Sequence, residues 1–107
     1  MPALRSSIEL LQPYDQFKTF TLTTSGSTAS TALTVSDYMI EANKITIIVD
    51  RDDLYVNFGG DATTDGTSML VPAGSGYTED GISFNGAISV IRANSSNGRI
   101  IGAIWGR

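Results

Sequence analysis

The sequence predicts an all-β fold: one small antiparallel β-sandwich of about eight short strands, jelly-roll-like or immunoglobulin-like in connection. Three observations carry that expectation. Apolar residues alternate with period two in Ile45-Thr46-Ile47-Ile48-Val49 and in Leu54-Tyr55-Val56-Asn57-Phe58, the pattern of half-buried strands. Turn-forming pairs such as Asn85-Gly86 and Asn97-Gly98 separate such runs at short intervals. Charged residues are sparse while Ser, Thr, Gly and Asn are plentiful, which suits strands with hydroxyl-bearing outer faces.

Met1 to Gln12 lacks a strand pattern. Leu4, Ile8 and Leu11 share helical spacing, so the segment reads either as a short helix or loop under the sandwich or as an arm reaching a neighbouring subunit. Residues 13–107 then form the sandwich domain. Pro13 breaks the chain before the first strand, Phe17–Thr23, in which Phe20 and Leu22 face one way and the threonines the other. Ala29–Val35 is a light second strand of edge character. Ser36 is placed to cap a single helical turn. Lys44–Gly60 reads as a central hairpin, its two strands joined by the charged loop Asp50-Arg51-Asp52-Asp53. A polar loop follows, then a short strand ending at Pro72, a turn through Ala73–Gly76, and strands at Gly81–Phe84, Ala87–Ala93 and Arg99–Trp105. The expected core is Phe20, Leu22, Leu33, Ile45, Ile47, Val49, Val56, Phe58, Leu70, Ile88 and Val90, with one face of the last strand. Trp105 reads as a core plug, and Tyr55, alternating away from that core, as the tyrosine to expect at the surface.

With 107 residues the chain is expected to be one domain. It contains neither Cys nor His, which removes disulfides, thiolate metal sites and the usual general base. The net charge of −4, with Lys and Arg spread from Arg5 to Arg107, argues against nucleic acid as a partner. No apolar run approaches a membrane span and no basic-then-apolar leader is present, so neither membrane nor secretory signal is expected.

The remaining chemistry is thin. Asp61-Ala62-Thr63-Thr64-Asp65-Gly66 faintly resembles part of a calcium loop but lacks the acidic twelfth position, and it reads with Asp50, Asp52 and Asp53 as solvated acidic loop. Glu9, Glu41, Glu79 and Asp80 are carboxylates that nothing in the sequence pairs across a cleft. No Ser has a recognisable base. The expectation is therefore a protein that is not an enzyme, with no catalytic, metal or cofactor-binding residues.

Leu54-Tyr55-Val56-Asn57-Phe58-Gly59, a polar loop, and Met69-Leu70-Val71-Pro72-Ala73-Gly74 resemble a pattern of small β-sandwich virion proteins of tailed bacteriophages. There a "vYVxFG" strand is followed by an "LPAG" turn, and Ile88–Ala93 and Gly98–Trp105 continue the likeness. The resemblance covers about half of the chain. It implies a capsid cement or decoration subunit on the capsid surface of the virion, bound to the major capsid protein or other virion subunits. A tail, connector or fibre accessory is the alternative, with a carbohydrate-binding module more distant. It also favours a homo-oligomer, with a trimer ahead of a dimer. The expected partner contacts are Leu4, Arg5, Ile8, Leu10 and Leu11, because four large aliphatics sit there without a strand partner.

Overall fold

The computed structural model describes residues 15–107. The N-terminal arm or helix over residues 1–12, with the contacts expected of Leu4, Arg5, Ile8, Leu10 and Leu11, lies outside the described residues. Eight strands follow: β1 (Gln16–Thr23), β2 (Ser30–Thr34), β3 (Ala42–Arg51), β4 (Leu54–Phe58), β5 (Met69–Val71), β6 (Gly76–Phe84), β7 (Ala87–Arg92) and β8 (Arg99–Gly106). They form two four-stranded antiparallel sheets, ordered β1-β8-β3-β6 and β2-β7-β4-β5. Only the link from β4 to β5 stays within a sheet, so the chain shuttles between layers as in a jelly roll. The all-β sandwich is thus as the alternation implied. In place of the expected helical turn, Val35–Asp37 makes one turn of 3-10 helix.

The core lies between the sheets. Ile45, Ile47 and Val49 of β3, with Ile100 and Ile104 of β8, meet Leu54 and Val56 of β4 and Ile88 and Val90 of β7. Each such side chain contributes about 1.5–3 kcal/mol when fully buried. Phe20 and Leu33 are buried as expected, whereas Leu22 and Phe58 pack only partly against the core. Leu70 corrects the expected list. It pairs with Tyr55 on the outer face and is 48% exposed, while Val71, opposite Leu54, is the buried residue of β5.

The expected central hairpin is absent. β3 and β4 are consecutive but belong to different sheets, and Asp50–Asp53 carries the chain from one to the other. Arg99 grips Asp50 beside β3, while the Asp53 carboxylate accepts the Ala73 N–H at 2.8 Å and its carbonyl accepts the Ala93 N–H at 3.1 Å. Asp52, at φ 52°, turns the corner. Asn85-Gly86 is likewise an inter-sheet link rather than a hairpin, the Gly86 carbonyl accepting the Val35 N–H at 3.0 Å. A charged or Asn-Gly turn has the same local chemistry whether the next strand pairs beside the last or crosses the sandwich.

The strand expected at Gly81–Phe84 also begins earlier, at Gly76. Thr78, Glu79 and Asp80 hide it from a search for apolar alternation, because β6 is an edge strand with one neighbour, β3. The loop between β4 and β5 is pinned by Ser89, whose buried Oγ accepts the Ala62 N–H at 2.9 Å. Within it one Asp65 carboxylate oxygen accepts the Thr63 and Thr67 hydroxyls, each at 2.6 Å, and the Thr67 N–H at 3.0 Å. These donors, the Thr63 hydroxyl first, hold the Asp65 carboxyl down from its ordinary 3.8 to about 2.

Two expectations follow. Val56 is 1% exposed opposite Val90, so Val56→Asp should cost about 4 kcal/mol or more by burying an unpaired charge. A thermal melt should show the variant largely unfolded, and a wild-type melt would mean that this face is not the core. Because the folded carboxyl of Asp65 is depressed, its contribution to the loop is complete above the unfolded value of 3.8 and is lost as pH falls through about 2. A carbon-detected NMR titration should place the Asp65 midpoint near 2, and a midpoint near 3.8 would dissolve the assigned hydrogen bonds.

Candidate functional site

β5 has three residues and β6, at the edge of the facing sheet, has nine. Because β5 covers only Leu54–Val56, the end of β4 is left unpaired on that side and the sandwich stays open along this flank. A cavity of about 270 Å³ occupies the opening, lined by Ile45, Phe58, Tyr77, Glu79, Ile82, Ser83 and Phe84. Its aromatic walls are ordered among themselves. Phe58 lies 6.0 Å from Tyr77 at 38° and 6.0 Å from Phe84, which meets it edge-on at 88°. The Phe84 ring is seated over Gly86, where a Cβ would come within 3.1 Å of it, and approaches Gly59.

The cavity lip is set by two irregularities. Asn43 is an extra residue of β3 against β8, since Ala42 pairs with Gly106 and Lys44 with Trp105. Against β6 the register jumps from Lys44–Asp80 to Ala42–Phe84, and Gly81 takes up the slack at φ +69°. The Asn43 side-chain amide donates to the Ile82 carbonyl at 2.9 Å and holds the bulged segment in place. Its Oδ1 is buried without a hydrogen-bond partner among the described residues. These bulges turn both Ile82 and Phe84 toward the core, where both pack against it.

The polar groups sort into two sets. The Tyr77 hydroxyl donates to Glu79 Oε2 at 2.5 Å, and this bond, then burial and the carboxylate charge, raises the Tyr77 pKa. The phenol therefore keeps its proton beside the Glu79 carboxylate. Ser83 donates its hydroxyl to Glu41, which also accepts the Arg107 Nε–H at 2.7 Å. The Ser83 bond first, then Arg107, lowers the Glu41 pKa. A carboxylate so held is a poor base, so Ser83 is not an activated nucleophile. Among the described residues no cationic side chain lines the cavity.

A transition-metal centre in the barrel would need imidazole, thiolate or several carboxylates together. The sequence has no His or Cys, and among the described residues Glu79 is the sole carboxylate lining the cavity. Among the described residues no group of three potential ligands occurs. The residues do not fit a metal centre. The acidic loops do not converge either: Asp50 is paired with Arg99, Asp53 caps Ala73, and Asp65 is satisfied by its own loop.

The aromatic residues singled out from the sequence lie elsewhere. Trp105 is not a core plug. It sits on the outer face, 5.2 Å from the exposed Phe17 ring, with the Lys44 ammonium 5.1 Å from its centre. Tyr55 is half-buried on the outer face of β4, and Tyr38, exposed, carries Lys18 at 4.7 Å. Glu9 lies outside the described residues; of the other carboxylates named from the sequence, Glu79 lines the cavity. Sequence reading missed Tyr77, Ile82 and Phe84 as a site. Their one signal was aromatic and aliphatic residues interrupting an otherwise polar stretch.

No protein-family profile matches the sequence, and no curated protein matches it. Solved structures do. The chain is similar to the Cupin_2 domain of an XRE-family transcriptional regulator from Enterobacter cloacae, with 17% identity, 88% of each chain covered and a TM-score of 0.55. It is similar to a cupin superfamily protein from Desulfitobacterium hafniense, with 3% identity over 87% of this chain and 70% of that one, TM-score 0.55. An HTH_3-family transcriptional regulator from Vibrio cholerae matches at 12% identity over 91% of this chain and 48% of that one, TM-score 0.56. These matches overturn the resemblance to phage virion proteins. None of the three is a capsid cement or decoration protein, a tail, connector or fibre subunit, or a carbohydrate-binding module by name, and the expected virion function and capsid-surface location are corrected accordingly. What the likeness establishes is the fold: a jelly roll of the kind found in cupin domains.

Proposed function

We propose that the chain is a non-enzymatic binding module that takes a small organic molecule into the cavity between β4 and β6. One observation carries the reading: about 270 Å³ of space is lined mainly by Phe58, Tyr77, Phe84, Ile45 and Ile82, with a single carboxylate beside it. That volume lies just below the usual ligand-pocket range of about 300–1,000 Å³, so the ligand is small. Binding is supported over turnover by the chemistry of the lining. Ser83 has no effective base, Tyr77 keeps its proton, and the residues do not fit a metal centre. The fold itself does not choose a ligand, since one scaffold hosts many functions.

A compact neutral probe, 3,3-dimethyl-1-butanol, tests this. Titrated into isotopically labelled protein, it should shift the amide signals of Phe58, Tyr77 and Phe84 with a dissociation constant on the order of 1 mM, about −4 kcal/mol. Ile82→Trp, which places a larger ring at the lip, should keep a folded spectrum and lose the shifts. Shifts confined to other residues, or none at several millimolar, would overturn the reading.

A further inference from the structure

We propose that the ligand of this cavity is an organic ammonium ion, alkylated at nitrogen; the inference rests on the binding role given to the cavity above. Phe58, Tyr77 and Phe84 present three rings to one small space, and the faces of aromatic rings attract cations. Phe84 meets Phe58 edge-on at 88°, and Tyr77 lies 6.0 Å from Phe58 at 38°, so the three rings pack at angles to one another rather than in a stack. Beside them stands the Glu79 carboxylate, which accepts the Tyr77 hydroxyl. Among the described residues no basic side chain in the lining stands against it.

The nearby cations are engaged elsewhere. Arg107 is held by Glu41, and Lys44 lies over Trp105 on the outer face of its sheet. An anionic ligand would therefore meet Glu79 without a counter-charge. A bare metal cation would lack the several oxygen ligands it requires. An ammonium rich in N–H donors could bond only on the side where the Glu79, Tyr77 and Ser83 oxygens lie, since the remaining lining residues, Ile45, Ile82, Phe58 and Phe84, carry no side-chain acceptor. Alkyl groups on nitrogen remove those donors and pack against the same apolar walls. The lining thus favours a cation whose charge is spread over methyl or methylene groups.

Choline and its neutral isostere 3,3-dimethyl-1-butanol have nearly the same shape and differ in charge, so titrating both into the full-length chain at fixed ionic strength isolates the cation. Choline should perturb Phe58, Tyr77 and Phe84 and bind about tenfold more tightly than the neutral alcohol. Glu79→Gln, a change at an exposed side chain, should weaken choline about tenfold and narrow the ratio between the two ligands to within about threefold. Equal affinity of the two ligands for the unaltered chain would overturn the ammonium assignment while leaving the cavity as a binding site. Choline binding only at the Phe17–Trp105 face would also overturn it. If neither ligand perturbs the cavity residues, both the assignment and the binding role fall.

Discussion

Strand β8 is wedged between β1 and β3, and the rest of the molecule depends on that fit. It brings the first described strand against the last, with Phe17 opposite Trp105 and Thr23 opposite Arg99. The contact is close enough to dictate residue type. A Cβ at Gly102 would come within 2.5 Å of the Phe20 ring and 2.7 Å of the Thr46 carbonyl, so only glycine lets both neighbours approach. At the start of β8, Thr24 and Gly98 exchange backbone and hydroxyl hydrogen bonds in the core. At its far end the extra residue Asn43 throws β3 out of step with β8, and β6 answers with its own irregularity. The cavity lip, Ile82 to Phe84, is built on that second irregularity. A packing constraint in the centre of one sheet is thus read out at its edge.

Much of the sandwich was legible because burial imposes a period of two. Ile45, Ile47 and Val49, or Val56, Ile88 and Val90, announce an inward face whatever their neighbours are. Pairing was not legible. Asp50–Asp53 has hairpin chemistry, yet its carboxylates fasten β3 to β8 on one side and the β5 turn to β4 on the other. Leu70 and Val71 differ by one position, and only the register against Leu54 and Tyr55 decides which is buried. The cavity was hidden for a related reason. It arises from unequal strand lengths in facing sheets, and Tyr77, Glu79 and Phe84 look unremarkable until β6 is seen to outrun β5.

The likeness to virion proteins misled because its motifs are the common grammar of antiparallel sheets. Tyr55, Val56 and Phe58 belong to an alternating strand, and Pro72-Ala73-Gly74 closes a turn in which the Ser75 N–H reaches the Pro72 carbonyl at 3.0 Å. Any β-sandwich with a turn at that place can use those residues. The lining of the cavity is more discriminating. Among the described residues it combines three aromatic rings with one carboxylate, and the proposed binding role rests on that combination.

The opening beside β6 is preformed, with mainly apolar walls, rather than closed by its own side chains. A crystal of the free protein pressurised with xenon checks this, since xenon settles against apolar walls without a charge or hydrogen bond to draw it. A xenon peak is expected among Phe58, Tyr77, Ile82 and Phe84, with the Phe84 ring still edge-on to Phe58. An empty difference map there, with Ile82 or Phe84 swung inward to fill the space, would contradict it.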